Sequence, residues 1–298
     1  MTDAPDVGRF APSPSGPLHF GSLVAALASW LDARAAGGRW LVRIEDVDAT
    51  RTVPGAADTI LRTLEAMALH WDGEIAWQSQ RTALYEFALA TLRARALTYR
   101  CKCSRKEVAD SGVTGLEGAI YPGTCRLLDV PAGVLASERM RASDDPITFT
   151  DRVQGAIGQS VGREIGDYIL KRRDGLHAYQ LAVVVDDAAQ GVTDVARGAD
   201  LLWSTPRQIA LSRALGYSTP RYLHVPVVAN ERGEKLSKQT LAPAIDGSNA
   251  AELLAAALAF LGQPAAQSRL PAEILAQAVE NWQPGRIAPV ASKPLLDV

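Results

Sequence analysis

The stretch Arg9-Phe10-Ala11-Pro12-Ser13-Pro14-Ser15-Gly16-Pro17-Leu18-His19-Phe20-Gly21-Ser22 decides the fold. It continues a short apolar segment, Val7 to Phe10, and its three prolines and Gly16 forbid both helix and ladder, so a rigid loop is expected. From Gly21 the apolar residues Leu23, Leu27, Trp30 and Leu31 recur at helical spacing until Gly37-Gly38 stops them. Trp40 to Ile44 then reads as a buried strand. Strand, loop, helix, strand opens an α/β sheet. At such a junction the N–H groups of the first helical turn face outward unpaired and attract phosphate, and His19 adds a donor at the same place.

Downstream, Pro54 opens a second helix to about Leu69, and Gln80 to about Leu97 forms a third with Leu84, Phe87, Leu92 and Leu97 on its apolar face. Residues 98 to about 165 exchange long periodic helices for cysteines, glycines and short polar runs, as in an inserted subdomain. The α/β pattern resumes near Gly166. Leu181 to Val185 is too short for periodicity to separate strand from buried helix. Val192 to Ala196 reads as a strand, Thr205-Pro206 begins a helix to about Leu215, and Tyr222 to Val228 is one apolar strand ahead of the polar loop 230–239. Helices are expected over Ala250 to Leu261 and Pro271 to Val279, and the Pro-rich end from Pro284 is expected to be loose.

The 298 residues suffice for one large or two ordinary domains, and 47% hydrophobic with 21% charged residues excludes disordered, collagenous and coiled-coil classes. The longest apolar run, Leu253 to Leu261, is far short of the roughly 20 residues that cross a bilayer, and the N-terminus has neither a basic start nor an apolar core. A cytoplasmic protein with no membrane partner is expected. With 31 basic against 33 acidic residues the net charge is -2, so a polyanion must be met by a local basic patch. Arg93, Arg95, Arg100, Lys102, Arg105 and Lys106 occur with no acid among residues 93–106, either as a solvated face or as a phosphate-binding one. All three cysteines, Cys101, Cys103 and Cys125, fall in one short stretch, which suits a metal such as zinc better than a secreted disulfide framework. No histidine lies between 98 and 130, leaving Glu107, Asp110, Glu117 and Tyr121 as possible fourth ligands.

The loop Lys235-Leu236-Ser237-Lys238-Gln239, taken with PSPSGPLHFGS near the start, resembles the two signature sequences of class I aminoacyl-tRNA synthetases, written HIGH and KMSKS. Arg9 to Gly16, Arg43-Ile44-Glu45-Asp46, Tyr179 with Val183 to Asp187, and Asp194 to Gly198 are similar, in order and over about residues 7–262, to the catalytic domain of the glutamyl-tRNA synthetase family. Phe20, Ser22, Leu236 and Gln239 depart from the general signatures, while His19, Gly21, Ser237 and Lys238 keep them. The resemblance implies a Rossmann-like α/β catalytic unit over 1–240, a zinc-bearing insert at 99–165 within it, and a short helical region at 241–298. It also places Leu181 to Val185 in a helix.

The resemblance further implies a glutamate pocket of Arg9, Phe10, Ala11, Pro12, Ser13, Glu45, Tyr179 and Arg197. Two carboxylates and one ammonium call for guanidinium, carboxylate and hydroxyl partners, which that set contains. ATP, with Mg²⁺, is expected at His19, Gly21, Ser22, Lys235, Ser237 and Lys238, of which His19 and Lys238 are the catalytic pair. One structural Zn²⁺ is expected on Cys101, Cys103, Tyr121 and Cys125.

Region 241–298 is too short for the helical anticodon-binding domain of ordinary family members. A shortened branch, whose wording at LHFGS, GLHAYQLAVVVDD, RGADLL and KLSKQ is nearest, esterifies glutamate to queuosine at the wobble position of tRNA(Asp). The expected activity is therefore ATP-dependent activation of L-glutamate and its transfer to queuosine of tRNA(Asp), by a monomer. The alternatives are a glutamyl-tRNA synthetase needing a separate anticodon-binding partner, and a non-catalytic RNA-binding paralogue. Intact His19, Glu45, Lys238 and both pocket arginines speak against the last.

Overall fold

The computed structural model describes residues 5–111, 114–115, 118–230 and 243–294. Lys235, Ser237 and Lys238, expected at ATP, lie outside the described residues, as does Glu117. Strand β1 (Val7–Phe10) leads through the proline loop into α1 (Phe20–Ala35), β2 (Arg39–Ile44), α2 (Ala56–Ala66), β3 (Ala76–Trp77) and α3 (Thr82–Ala94). β1, β2 and β3 pair in parallel, with Arg9 opposite Leu41. The second helix begins at Ala56 and not at Pro54, because Gly55, at φ 75, forms a left-handed turn in front of it.

The middle of the chain comprises β4 (Thr98–Cys101), α4 (Arg105–Ala109), β5 (Thr114–Gly115), β6 (Gly118–Ala119), β7 (Ser137–Met140), β8 (Pro146–Asp151), β9 (Gly155–Ser160), α5 (Val161–Glu164) and β10 (Ile169–Lys171). β4 and β10 flank β7 in an antiparallel sheet, whereas β8 and β9 attach to the catalytic sheet. The return to that sheet runs through α6 (Tyr179–Ala189), β11 (Asp194–Gly198), α7 (Thr205–Leu215), β12 (Arg221–Val225) and β13 (Val227–Ala229). The chain closes with α8 (Ala250–Phe260), α9 (Pro271–Glu280) and β14 (Ser292–Pro294).

β11 pairs in parallel with β12, which pairs in parallel with β8. The two halves join where Thr193 N–H donates to the Val7 carbonyl at 3.0 Å and Val7 N–H donates to the Thr193 hydroxyl at 2.8 Å. The resulting order, β3-β2-β1-β11-β12, has its reversal of strand order between β1 and β11. In a doubly wound sheet that is where ligands bind, at the carboxyl ends of the strands. Leu23, Leu27 and Leu31 of α1 are wholly buried, and the same core takes in Leu254 and Leu258 of α8 and Leu275 of α9.

Three expectations meet their physical reason here. Leu181 to Val185 lies inside α6, where every residue from Leu181 to Asp187 is buried, so no polar face exists to reveal the helical period. The strand expected from Tyr222 to Val228 is two strands, broken at Pro226, which has no N–H for a ladder. The end expected to be loose from Pro284 is anchored instead: β14 pairs in parallel with β13, Val227 opposite Ser292 and Ala229 opposite Pro294. No helix among the described residues is long and apolar enough to cross a membrane.

Candidate active site

The carboxyl ends of β1 and β11 open into a cavity of about 960 Å³, at the upper end of the range for ligand pockets. Every described residue expected at glutamate or ATP lines it: Arg9, Phe10, Ala11, Pro12, Ser13, His19, Gly21, Ser22, Glu45, Tyr179 and Arg197. The proline loop is held by two backbone bonds, Glu45 N–H to the Pro12 carbonyl at 3.0 Å and Val53 N–H to the Pro14 carbonyl at 2.9 Å. These bonds fix Glu45, at the end of β2, against the end of β1.

His19 caps α1, its Nδ1 accepting from Ser22 N–H at 3.1 Å. With Nδ1 engaged as acceptor, the proton of the neutral ring sits on Nε2, so the ring reaches the cavity as a donor beside the open first turn of the helix. A Cβ on Gly21 would stand 3.2 Å from His19 Nδ1, tighter than ordinary packing, so glycine lets the ring lie flat on the turn.

Arg9 lines the cavity, and the wholly buried Arg43 shares its acidic partner. Arg9 Nε donates to Asp187 Oδ1 at 3.2 Å, and the same carboxylate oxygen accepts from Arg43 at 2.8 Å, so Asp187 is already spent between two guanidinium groups. Burial would raise its pKa, but Arg9 and Arg43 together hold it below the usual carboxylate range. Glu45 Oε1 takes a longer bond of 3.3 Å from Arg43. Burial pushes the Glu45 carboxyl above its ordinary value despite Arg43 and Arg9, so a ligand cation would favour its ionised form.

Arg197 differs, because all its partners among the described residues are neutral. Its guanidinium donates to His224 Nε2 at 3.0 Å, the Thr205 hydroxyl at 2.8 Å, Gln208 Oε1 at 2.7 Å and, at 3.4 Å, the Tyr179 hydroxyl. Arg197 is 6% exposed, and a buried cation with no carboxylate partner is costly unless a ligand brings the anion. Behind it, His224 Nδ1 donates to Asp151 Oδ2 at 2.7 Å, both side chains being fully buried. Burial and the nearby Arg197 outweigh that bond and push the imidazole pKa down to about 4, keeping Nε2 an acceptor. The Asp151–His224 pair and Arg51, which also lines the cavity, were missed in the sequence reading. A pair separated by 73 positions leaves no local signal.

A second centre lies in the insert. Cys101 ends β4, Cys103 follows it, and Tyr121 and Cys125 return from the loop after β6. The three Sγ atoms lie within 4.8 Å of one another. Cys103 and Cys125 are 3.5 Å apart, and the Tyr121 hydroxyl is 3.3 Å from Cys101 Sγ and 3.7 Å from Cys103 Sγ. Metal–sulfur bonds near 2.3 Å give tetrahedral edges of about 3.5 to 3.8 Å, close to the three donor separations given above. Glu107 is occupied as half of the Ser104 capping box, and Asp110 pairs with Lys106 at 2.9 Å. Burial pushes the Cys103 thiol up to about 11 and the Tyr121 phenol up as well, a load of protons that a cation would displace. Arg139 lies 3.8 Å over the Tyr121 ring, a further charge that favours a phenolate.

A Rossmann-like sheet, an open helix start and a buried arginine with neutral partners meet at the strand-order reversal, an arrangement suited to a ligand with anionic groups. The chain belongs to the class I tRNA synthetases (E and Q), whose catalytic domain it matches over residues 7–258. It is similar to the glutamyl-Q tRNA(Asp) synthetases of Pseudomonas entomophila, 52% identical over 301 residues with 100% of each chain covered, and of Thiobacillus denitrificans, 53% identical with 99% of each covered. That of Dechloromonas aromatica is 55% identical over 286 residues, covering 94% of this chain and 95% of its own. The fold is shared with the glutamate tRNA ligase of Elizabethkingia meningosepticum, solved with its amino acid (TM-score 0.82, 21% identity, 98% of this chain and 67% of that one).

Proposed function

We propose that this chain activates L-glutamate with ATP and transfers it to the queuosine of tRNA(Asp), working in the cytoplasm as a monomer that carries one structural zinc. The observation that carries glutamate is Arg197, buried against neutral partners only, on the same cavity as Glu45. One wants an anion and the other a cation, as the two ends of an amino acid with a side-chain carboxylate supply. The queuosine acceptor rests on the end-to-end match with relatives of that name.

In this reading a glutamate carboxylate oxygen attacks the α-phosphorus of ATP and pyrophosphate leaves. A hydroxyl of the acceptor then attacks the carbonyl carbon and AMP leaves. Charge develops on phosphoryl oxygens, so catalysis is positioning and electrostatic stabilisation, by His19 and the first turn of α1 and, outside the described residues, by Lys235, Ser237 and Lys238, with Mg²⁺ that would supply further neutralising charge. Zinc, held by Cys101, Cys103, Tyr121 and Cys125, would brace the insert.

Transfer of labelled glutamate tests the reading. tRNA(Asp) from cells that make queuosine should accept it, and the same tRNA from cells that lack the base should not. Charging of unmodified tRNA(Glu) would move the assignment to an ordinary glutamyl-tRNA synthetase.

A further inference from the structure

Between α4, strands β7 and β10 and the turn after β10 runs a groove of about 380 Å³ whose walls carry Arg105, Arg139, Arg172 and Arg173 against one acid, Asp174. In a chain of net charge -2 such a concentration of guanidinium groups is a local departure from the background. Two of the four are committed. Arg172 bridges Asp48 at 2.6 Å and Asp174 at 2.5 Å, and Arg139 donates to the Asp167 carbonyl at 2.7 Å while lying on Tyr121. Arg105 and Arg173 are exposed and make no ion pair or side-chain hydrogen bond among the described residues.

The basic run 93–106 looked like one phosphate-binding or solvated face, but most of it is spent elsewhere. Arg93 pairs with Glu138, Arg95 donates to the Ala214 carbonyl at 2.6 Å, Arg100 donates to the Val134 carbonyl, and Lys106 pairs with Asp110 at 2.9 Å. Only Arg105 of that run lines the groove, where it meets Arg172 and Arg173 from the turn after β10.

The groove also has a direction. Arg172 lines both it and a smaller cavity of about 250 Å³, and that cavity shares Ser13, Glu45 and Tyr179 with the active-site cavity. The active-site cavity, the smaller cavity and the groove thus stand in series on shared wall residues, with Arg172 between the last two.

We propose that this groove receives backbone phosphates of the RNA acceptor, those flanking the nucleotide whose hydroxyl reaches the activated glutamate. The proposal rests on the reading that the acceptor is RNA. Guanidinium forks fit phosphate in pairs, and a polynucleotide entering the active site must lay its regularly spaced charges along the path that leads out of it.

The test is the double variant Arg105→Gln/Arg173→Gln, whose side chains are exposed and make no ion pair or side-chain hydrogen bond among the described residues. tRNA(Asp) carrying queuosine is titrated by filter binding between 50 and 200 mM salt, about the range over which phosphate contacts are read, alongside glutamate-transfer kinetics. The expected result is a roughly tenfold weaker Kd, a salt slope smaller by about 1.4 (two contacts at about 0.7 each), a higher KM for tRNA, and unchanged KM for glutamate and ATP. Arg163→Gln, which removes another exposed guanidinium paired with Asp144, should leave Kd and slope at wild-type values. Wild-type Kd and slope in the double variant would overturn the groove and leave the RNA acceptor standing, and equal losses in Arg163→Gln would overturn it as non-specific charge. A wild-type protein that binds no tRNA would overturn both the groove and the reading beneath it.

Discussion

Arg197 and His224 show how one buried charge is kept ready. Because Arg197 meets only neutral partners, its free energy drops most when a carboxylate arrives, and loss of a charged hydrogen-bonded pair costs about 1.5 to 3 kcal/mol. Arg197→Ala should therefore raise the KM for glutamate about ten- to a hundredfold and leave that for ATP nearly unchanged, a split that steady-state kinetics reads directly. Equal losses for both ligands would remove Arg197 from the glutamate pocket. His224 supplies a pH test. Its folded-state pKa of about 4 lies below the unfolded value near 6.5, so the unfolded chain binds the proton more readily. Its contribution is complete above pH 6.5 and is lost as pH falls toward 4, by up to roughly 3 kcal/mol. Between pH 7 and 5 the wild type should lose more stability than His224→Gln, and parallel losses would contradict a buried neutral imidazole. The charged residues of the cavity were legible through the family resemblance, which carried Arg9, Glu45 and Arg197 over by motif, and their charges suit the carboxylates and ammonium of glutamate. The Asp151–His224 brace was not, because nothing near either residue hints that the fold brings them together.

Elements were legible where the pattern ran long enough. The α1 period could be read from Leu23, Leu27 and Leu31 within a helix of 16 residues, whereas the apolar run Leu181 to Val185 of α6, buried throughout, and the strand pair split at Pro226 needed tertiary context to resolve. The end of the chain was misjudged from its prolines: strand pairing with β13 and the Lys293 ammonium on the Phe260 carbonyl at 3.1 Å hold β14 in place. β13 lines the cavity through Val227 and Val228. Truncation after residue 290 should therefore lower the melting temperature and raise the KM for ATP severalfold while glutamate affinity persists. Unchanged ATP kinetics would show that β14 only closes an edge. The insert makes the opposite case, an element with too little apolar surface of its own. Its small buried cluster consists of Tyr99, Cys101, Tyr121, Cys125 and Val130, three of them among the proposed zinc ligands. Cys125→Ser should reduce bound zinc and open residues 101–130 to protease before the catalytic sheet is cut. Wild-type proteolysis in a metal-free variant would mean that the insert stands without metal.

At the scale of the whole molecule, the site is not an appendage of the core. Arg9, Glu45 and Arg197 sit on or beside β1, β2 and β11, neighbours in one sheet, and α1, whose start faces the cavity, shares its buried face with α8 and α9. A ligand that bridges these strands thus holds together the same elements that must separate on unfolding. Binding to the native state alone adds RT ln(1 + [L]/Kd), about 2.7 kcal/mol at a hundredfold excess over Kd. For a chain of this size that corresponds to a rise of several degrees in the melting temperature. Glutamate alone should produce this rise, because its pocket is preformed around Arg197 and Glu45, and a non-hydrolysable ATP analogue should add to it. In Arg197→Ala the glutamate increment should vanish while the nucleotide increment remains. Should the nucleotide increment disappear as well, the two ligands would be sharing a determinant that the separate placement of His19 and Arg197 does not provide.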